Sequence, residues 1–303
     1  MSIGLDLGST QFRSLRRHGQ RLVGRNCPCA YVMIADTATN RRMIERDDLP
    51  FLELDRELIL IGDAAIAWSD HAPVAVRALL PDGKLPADDG LARELLAFLI
   101  DAVLPPATFP NEPCAMTIPG ELFPDEPGTE RDYFSQLVKL RGYQPVIIGQ
   151  GMAAVLAELG DAGFSGIGIS LGASQCEFAL VHCGAEQARC SIPWGTADIE
   201  EQGATENDRV ITDFLVELLI EAGMRINMHD GFRVVSRPVS IVCSGGLAQR
   251  ADFEQHLQMA WQRAAWPIPV RALRVAPDAM YTIARGCLIQ AKLELQASAL
   301  RAA

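Results

Sequence analysis

Apolar residues in this chain fall into short runs of strand length punctuated by glycine, and two of these runs are spelled alike. Ile3-Gly4-Leu5-Asp6-Leu7 stops at Gly8-Ser9-Thr10 and is followed by strand patterns near 12–17 and 21–23. The stretch 167–181 repeats the arrangement. An apolar strand ends in Ser170-Leu171-Gly172-Ala173-Ser174 and a second apolar strand follows. Two strand–glycine turn–strand units about half a chain apart imply two related halves facing each other. A third glycine turn, Ser244-Gly245-Gly246-Leu247, comes after the apolar run 239–243 and opens a helical pattern.

Between these landmarks, the first half predicts strands at 30–34 and 58–61, with a helix opening at Gly62 and capped by Asp63. The charged stretch 36–57 reads as a small, irregular surface subdomain. A helix at 91–103 follows Asp88 and Asp89 as cap candidates, then a strand at 114–118 stopped by Pro119-Gly120. A helix at 130–141 and a strand at 145–148 lead to Gln150. The second half predicts strands at 166–170, 176–182 and 187–192, and a helix at 207–222 with Val210, Ile211, Phe214, Leu215, Leu218 and Leu219 as its buried stripe. A strand at 239–243, a helix at 251–265, a strand near 270–275 and a C-terminal helix from Tyr281 complete it. Strand-rich openings followed by β-α-β-α order place both halves in the α/β class.

Composition narrows the function. The chain has 303 residues, 49% of them apolar and 21% charged, enough for two folded domains. A formal charge of −11 argues against nucleic acid or an anionic membrane as a major partner. No apolar run reaches bilayer length and no leader-like segment precedes the first strand, so a cytoplasmic location is expected, without a transmembrane segment. Eight cysteines are scattered, mostly in apolar strands, where a thiol behaves as a small core residue. Cys27-Pro28-Cys29 lacks the spacing and the companion ligands of a zinc site. Arg13, Arg16, Arg17, Arg21 and Arg25 form a local basic patch that is either a solvated strand face or a docking surface.

The turns carry the candidate chemistry. Gly8 permits a sharp turn and a close ligand approach, and the amides and hydroxyls of Ser9 and Thr10 suit phosphate oxygens. Asp6 at the strand's end would hold a divalent cation such as Mg²⁺ through water. A plain hairpin turn would be spelled the same way; the second copy favours a pair of turns with a nucleotide's phosphates between them. Gly245-Gly246-Leu247 would let an anion or a ribose-adenine unit approach a helix start.

As a set, these motifs resemble the actin-like ATPase superfamily, which includes sugar kinases and heat-shock chaperone ATPase domains, and within it the bacterial actins of the MreB and MamK type. Asp82-Gly83-Lys84-Leu85-Pro86 resembles their "DGVIAD" link, Ala115-Met116-Thr117-Ile118-Pro119 their strand ending in "VP", and Gln150-Gly151-Met152-Ala153-Ala154 their "EPMAA". Ser244-Gly245-Gly246 resembles the adenosine turn, and Ala284-Arg285-Gly286-Cys287 the late "A-R/K-G" helix start. The resemblance implies two ribonuclease-H-like (actin-like) domains flanking a nucleotide cleft. These would comprise residues 1–149 plus 286–303, with a small subdomain at 36–57, and residues 150–285. It implies ATP or ADP with Mg²⁺ as ligands and other protein subunits, self or partner, as associates. It makes Asp6 and Gln150 the catalytic pair, Gly8, Ser9, Thr10, Ser170, Gly172, Ala173 and Ser174 the phosphate contacts, and Ser244, Gly245, Gly246 and Leu247 the adenosine contacts.

The chain departs from that pattern twice. Ser170 stands where the family has an acid, and Ala173 and Ser174 stand where it has glycines. Losing the carboxylate weakens the hold on a hydrated Mg²⁺ and on the attacking water, so a weak or lost ATPase is expected. Asp198, Glu200 and Glu201 are the acids that could stand in. Only residues 193–238 replace the family's outer helical subdomain, which reduces the second domain and leaves the base more exposed. The expected role is that of a cytoskeletal scaffold, filament component or adaptor. The alternatives are a small-molecule, sugar-type kinase of the same superfold and a nucleotide-free protein-binding pseudo-ATPase.

Overall fold

Gly4 and Gly168, one in the first strand of each half, lie where a helix is pressed against the strand with no room for a side chain. A methyl carbon on Gly168 would sit 1.9 Å from the Gly151 carbonyl oxygen, and one on Gly4 would sit 2.1 Å from that of Ala284. The two helices concerned also cross each other, and a methyl on Gly286 would lie 1.9 Å from the Ala153 carbonyl oxygen. The computed structural model describes residues 2–120, 128–201, 208–233 and 237–302.

The chain begins with β1 (Ile3–Leu7), β2 (Gln11–His18) and β3 (Arg21–Pro28), which pair antiparallel as a meander. Next come β4 (Ala30–Ala35), α1 (Ala38–Arg46), β5 (Phe51–Leu54), β6 (Glu57–Ile61), α2 (Asp63–Ser69) and β7 (Arg77–Ala78). Then α3 (Gly90–Val103), β8 (Glu112–Met116), α4 (Thr129–Leu140) and β9 (Tyr143–Ile147) return to the first sheet. Its strand order is β3-β2-β1-β8-β9, with β8 and β9 parallel to β1.

After α5 (Gln150–Glu158) the scheme repeats with β10 (Gly166–Leu171), β11 (Cys176–His182) and β12 (Ala185–Ile192). The short α6 (Ala197–Glu201), the long α7 (Asp208–Met228) and the short α8 (Asp230–Arg233) lead to β13 (Val239–Gly245). The chain ends with α9 (Phe253–Arg263), β14 (Val270–Val275) and α10 (Thr282–Ala302). The second sheet runs β12-β11-β10-β13-β14, again two antiparallel neighbours followed by two parallel ones. Each sheet has its own apolar core. Phe12, Leu96, Ile100 and Phe134 anchor the first, and Phe178, Leu215, Leu219 and Phe253 anchor the second. A third cluster joins them through α5 and α10, where Ala153, Val155, Ile283, Cys287 and Ala291 meet.

Several elements differ from their sequence reading. The stretch 36–57 is regular: Thr37 accepts the Asn40 amide and starts α1, and β5 joins a four-stranded sheet, β5-β6-β4-β7. That sheet and α1 bury Val32, Ile44, Leu60 and Trp68, a core of their own that the surrounding charges conceal in the sequence. Asp63 is the first residue of α2 rather than its cap, which is Gly62 at φ 61°. A side chain on Gly62 would strike the Cys27 sulfur, so the thiol packs where a capping side chain would stand. β3 extends to Pro28 because the β2 ladder runs its full length from Gln11 to His18. The arginine patch divides. Arg16 pairs with the buried Glu112 at 3.1 Å, and Arg25 reaches the Ala102 carbonyl. α7 runs on to Met228, and the predicted start at Asn207 lies outside the described residues.

Seven of the eight cysteines are buried or half-buried, and Cys183, in the β11–β12 turn, is exposed. Among the described residues, no helix is long and apolar enough to cross a membrane.

The crossing yields a first prediction. Forcing a methyl into a backbone contact strains both helices, so Gly286→Ala should destabilise the protein by about 1–3 kcal/mol or more. Gly90→Ala, where a methyl meets nothing within 4 Å, should change stability by less than about 0.5 kcal/mol. Urea denaturation of the two variants is the comparison; equal midpoints would show that the crossing can relax.

Candidate functional site

The two glycine turns close in the same way. The Gly8 amide donates to the Gln11 carbonyl at 3.1 Å, and the Gly172 amide donates to that of Gln175 at 3.0 Å. Both turns sit at the same end of their sheets, so they face each other across a cavity of about 480 Å³. Asp6, Gly8, Ser9, Thr10, Gln150, Ser170, Gly172, Ala173, Ser174, Gly245, Gly246 and Leu247 all line it. Of the residues expected at the site, Ser244 does not. It lies in β13, fully buried, with its hydroxyl toward the Ala279 carbonyl. The turn proper is therefore shorter than its sequence reading, beginning at Gly246 after the last residue of β13, Gly245. Gly245 pairs with Leu171 at φ 124°, where a methyl carbon would lie 2.1 Å from the Leu171 carbonyl oxygen, so glycine suits the position.

At the first turn, Asp6 is 5% exposed and both its oxygens are engaged. Thr117 donates its hydroxyl to Oδ1 at 3.2 Å, and Arg13 approaches Oδ2 with Nη1 at 3.4 Å. Burial raises the Asp6 carboxyl above its ordinary range, and Arg13 and Thr117 offset part of that. The Thr117 Oγ1 also accepts the Leu7 amide, so one hydroxyl ties the end of β1 to the segment after β8.

At the second turn, the hydroxyl of Ser170 donates to the amide oxygen of Gln150 at 2.7 Å, in surroundings that are almost fully buried. Gln150 is the first residue of α5, where its side chain faces the cavity rather than capping the helix. The helix start is held from below: the buried Glu177 on β11 accepts the Gly151 amide at 2.7 Å. A carboxylate at a helix N-terminus is favourable because the first amides lack partners and the helix dipole is positive there. Ser174 presses across the cleft, since a methyl on Gly83 would lie 2.6 Å from its hydroxyl oxygen. Asp198 is engaged by the Gly195 amide at 2.8 Å and lines a second cavity, of about 400 Å³, that shares Ser9, Thr10 and Ser174 with the first. The side chains of Glu200 and Glu201 lie outside the described residues.

The structure also shows what the motif reading passed over. Arg13 and Gln175 line the cavity, and the Nε of Arg13 and the Oε1 of Gln175 are buried without a hydrogen-bond partner among the described residues. Aligning the hairpins would have exposed both. Gly8-Ser9-Thr10-Gln11-Phe12-Arg13 matches Gly172-Ala173-Ser174-Gln175-Cys176-Glu177, with a cation in one copy where the other has an acid. Register confirms the equivalence, Arg13 lying opposite Asp6 and Glu177 opposite Ser170. At the rim, Asp208, Asp252 and His256 converge with ligand atoms within 4.8 Å of one another. Arg250 supplies a cation there, 2.7 Å from Asp252 and 3.7 Å from Asp208.

A family model, Volactin, matches residues 1–229 of this chain. The chain belongs to the Volactin family. Among solved structures, a MamK double helical filament matches at a TM-score of 0.62 and 12% identity, covering 96% of this chain and 98% of that one. MreB5 of Spiroplasma citri bound to AMPPNP matches at 0.62 and 16% identity, covering 98% and 97%. At such identities the likeness establishes the fold, a two-domain actin-like ATPase fold of the MreB and MamK type. No curated protein matches the chain.

The pairing at the second turn is testable. Ser170→Ala leaves the Gln150 amide oxygen without its donor and should cost about 1–2 kcal/mol in urea denaturation. Ser170→Thr, which keeps the hydroxyl, should recover most of that loss. Equal losses in both variants would place the effect in packing rather than in the hydrogen bond.

Proposed function

We propose that the chain is a nucleotide-binding actin-like protein whose role is assembly, as a scaffold or filament subunit joined to itself or to partner proteins, rather than turnover. ATP or ADP would lie with its phosphates between the turns at 8–10 and 172–174 and its adenosine against 245–247. In this reading α10 returns to the first domain, giving domains of 1–149 plus 286–303 and 150–285. The packing of α10 against β1 and α5 supports it. MreB5 and MamK have been solved with AMPPNP, which supports the choice of ligand.

The observation that carries the slow-turnover half of this reading is the Ser170–Gln150 hydrogen bond. In-line attack on a γ-phosphate needs a positioned water, and its rate depends on the groups that order and deprotonate that water. The amide oxygen of Gln150, the atom that would accept a hydrogen from the water, already accepts one from Ser170. Asp6 is the sole carboxylate lining the cavity among the described residues, and both its oxygens are engaged. Binding is served by the cavity and its amides, whereas among the described residues hydrolysis lacks a free carboxylate to take the water's proton.

Two measurements check this. A calorimetric titration of nucleotide-free protein should show saturable binding of ATP; no heat at millimolar nucleotide in folded protein would leave the nucleotide-free, protein-binding reading standing. Phosphate release from wild type should be near background, and Ser170→Asp, alone or with Ala173→Gly and Ser174→Gly, should raise it by about two orders of magnitude. Wild-type turnover that Ser170→Asp leaves unchanged would overturn the assignment of the deficit to Ser170.

A further inference from the structure

A nucleotide cleft normally balances the phosphate charge with a hydrated divalent cation, whose waters are held by acidic oxygens on both sides. The residues present do not fit that ion. Ser170 brings a hydroxyl where a second carboxylate would stand, and its proton is committed to Gln150. Asp6 is left alone, with Thr117 donating to one oxygen and a guanidinium beside the other. A dication placed there would have to compete with the Arg13 guanidinium beside the same carboxylate.

Arg13 has the properties of a resident counter-ion. It stands on β2 directly opposite Asp6, lines the cavity beside the 8–10 turn, and is mostly shielded from solvent. One terminal nitrogen is held by the Gln11 side chain at 2.5 Å. The other is only loosely held by Asp6, since 3.4 Å exceeds the usual charge-assisted distance by about half an ångström. Its Nε is buried without a partner among the described residues. A guanidinium offers its donors in a planar fork that matches two phosphate oxygens at once. The equivalent strand position in the second half carries Glu177, which is turned to the start of α5, so no cation faces Arg13 from there.

We propose that Arg13 takes the place of the divalent cation, so that this chain binds the metal-free nucleoside polyphosphate through the guanidinium of Arg13 and the amides of the 8–10 turn. The inference rests on the nucleotide reading above and goes beyond it in naming the ligand's form.

The test is calorimetric titration of full-length, nucleotide-free protein with ATP, once in excess Mg²⁺ and once in excess EDTA. The two dissociation constants should agree within about threefold, and Arg13→Gln should weaken binding in EDTA by about tenfold or more. Because Arg13→Gln strands a buried carboxylate, the paired variant Asp6→Asn with Arg13→Gln is measured beside it. This variant keeps a neutral pair in place and should show the same loss while melting cooperatively. Adding Ser170→Asp to Arg13→Gln, which leaves Asp6 in place and supplies an acid on each side, should make the remaining binding depend on Mg²⁺. Binding that falls tenfold or more in EDTA for wild type would overturn the inference and leave the nucleotide reading intact. Metal-independent binding that survives the loss of Arg13 would overturn it equally. Absence of binding in both buffers would remove the nucleotide reading itself.

Discussion

The constraint on which the structure depends is the close approach of α5 and α10 at Gly286 and Ala153. A helix pair this tight excludes side chains at the contact, and the adjoining strands repeat the demand at Gly4 and Gly168. The result is a seam of backbone against backbone running from one sheet to the other. The seam is fastened at one end by Glu158, which accepts hydrogen bonds from both Thr282 and Arg285. Everything at the cleft is referenced to this seam, since α5 begins with Gln150 and β1 and β10 end in the two turns. Packing at this density transmits small displacements instead of absorbing them.

Equivalent architecture carries unequal chemistry. The hairpins match in turn hydrogen bond, register and glutamine position, but the exchange of Arg13 for Glu177 gives the halves opposite tasks. In the first, the side chain opposite the turn supplies charge to the cavity. In the second, it supplies an acceptor to a helix start, and thereby orients Gln150. The degraded spelling of the second turn is thus accompanied by hydrogen bonds of its own, from Ser170 to Gln150 and from the Gly151 amide to Glu177.

Much of this was legible in the residues. The doubled strand–glycine pattern disclosed two equivalent halves, because turns of this kind need glycine and strands of this kind need uninterrupted apolar runs. Positions at the turns followed directly, since backbone geometry places Ser9, Thr10 and Gly172 whatever surrounds them. What stayed hidden depended on partners distant in sequence. Arg13 reads as one of five arginines in a local basic patch until register sets it against Asp6. The core around Trp68 draws on apolar residues spaced between charges, with no period long enough to stand out. Ser244 reads as part of a turn because glycines follow it, yet pairing with β10 holds it inside the strand. Side-chain identity marks where the chain bends; which atoms meet across the bend is decided by the register of strands far apart in the sequence.

The distribution of thiols has a practical consequence. Cys183 lies at the end of β11 remote from the turns, in the loop that joins it to β12, whereas the other cysteines are enclosed to varying degrees by the cores. Thiol-directed reagents react where they can reach, so a fluorophore or spin label would attach there on the native chain without any engineered site. Such a reporter would ride on the second sheet at its outer margin, clear of the cleft. Paired with a second label introduced on the first half, it would report the distance between the two sheets.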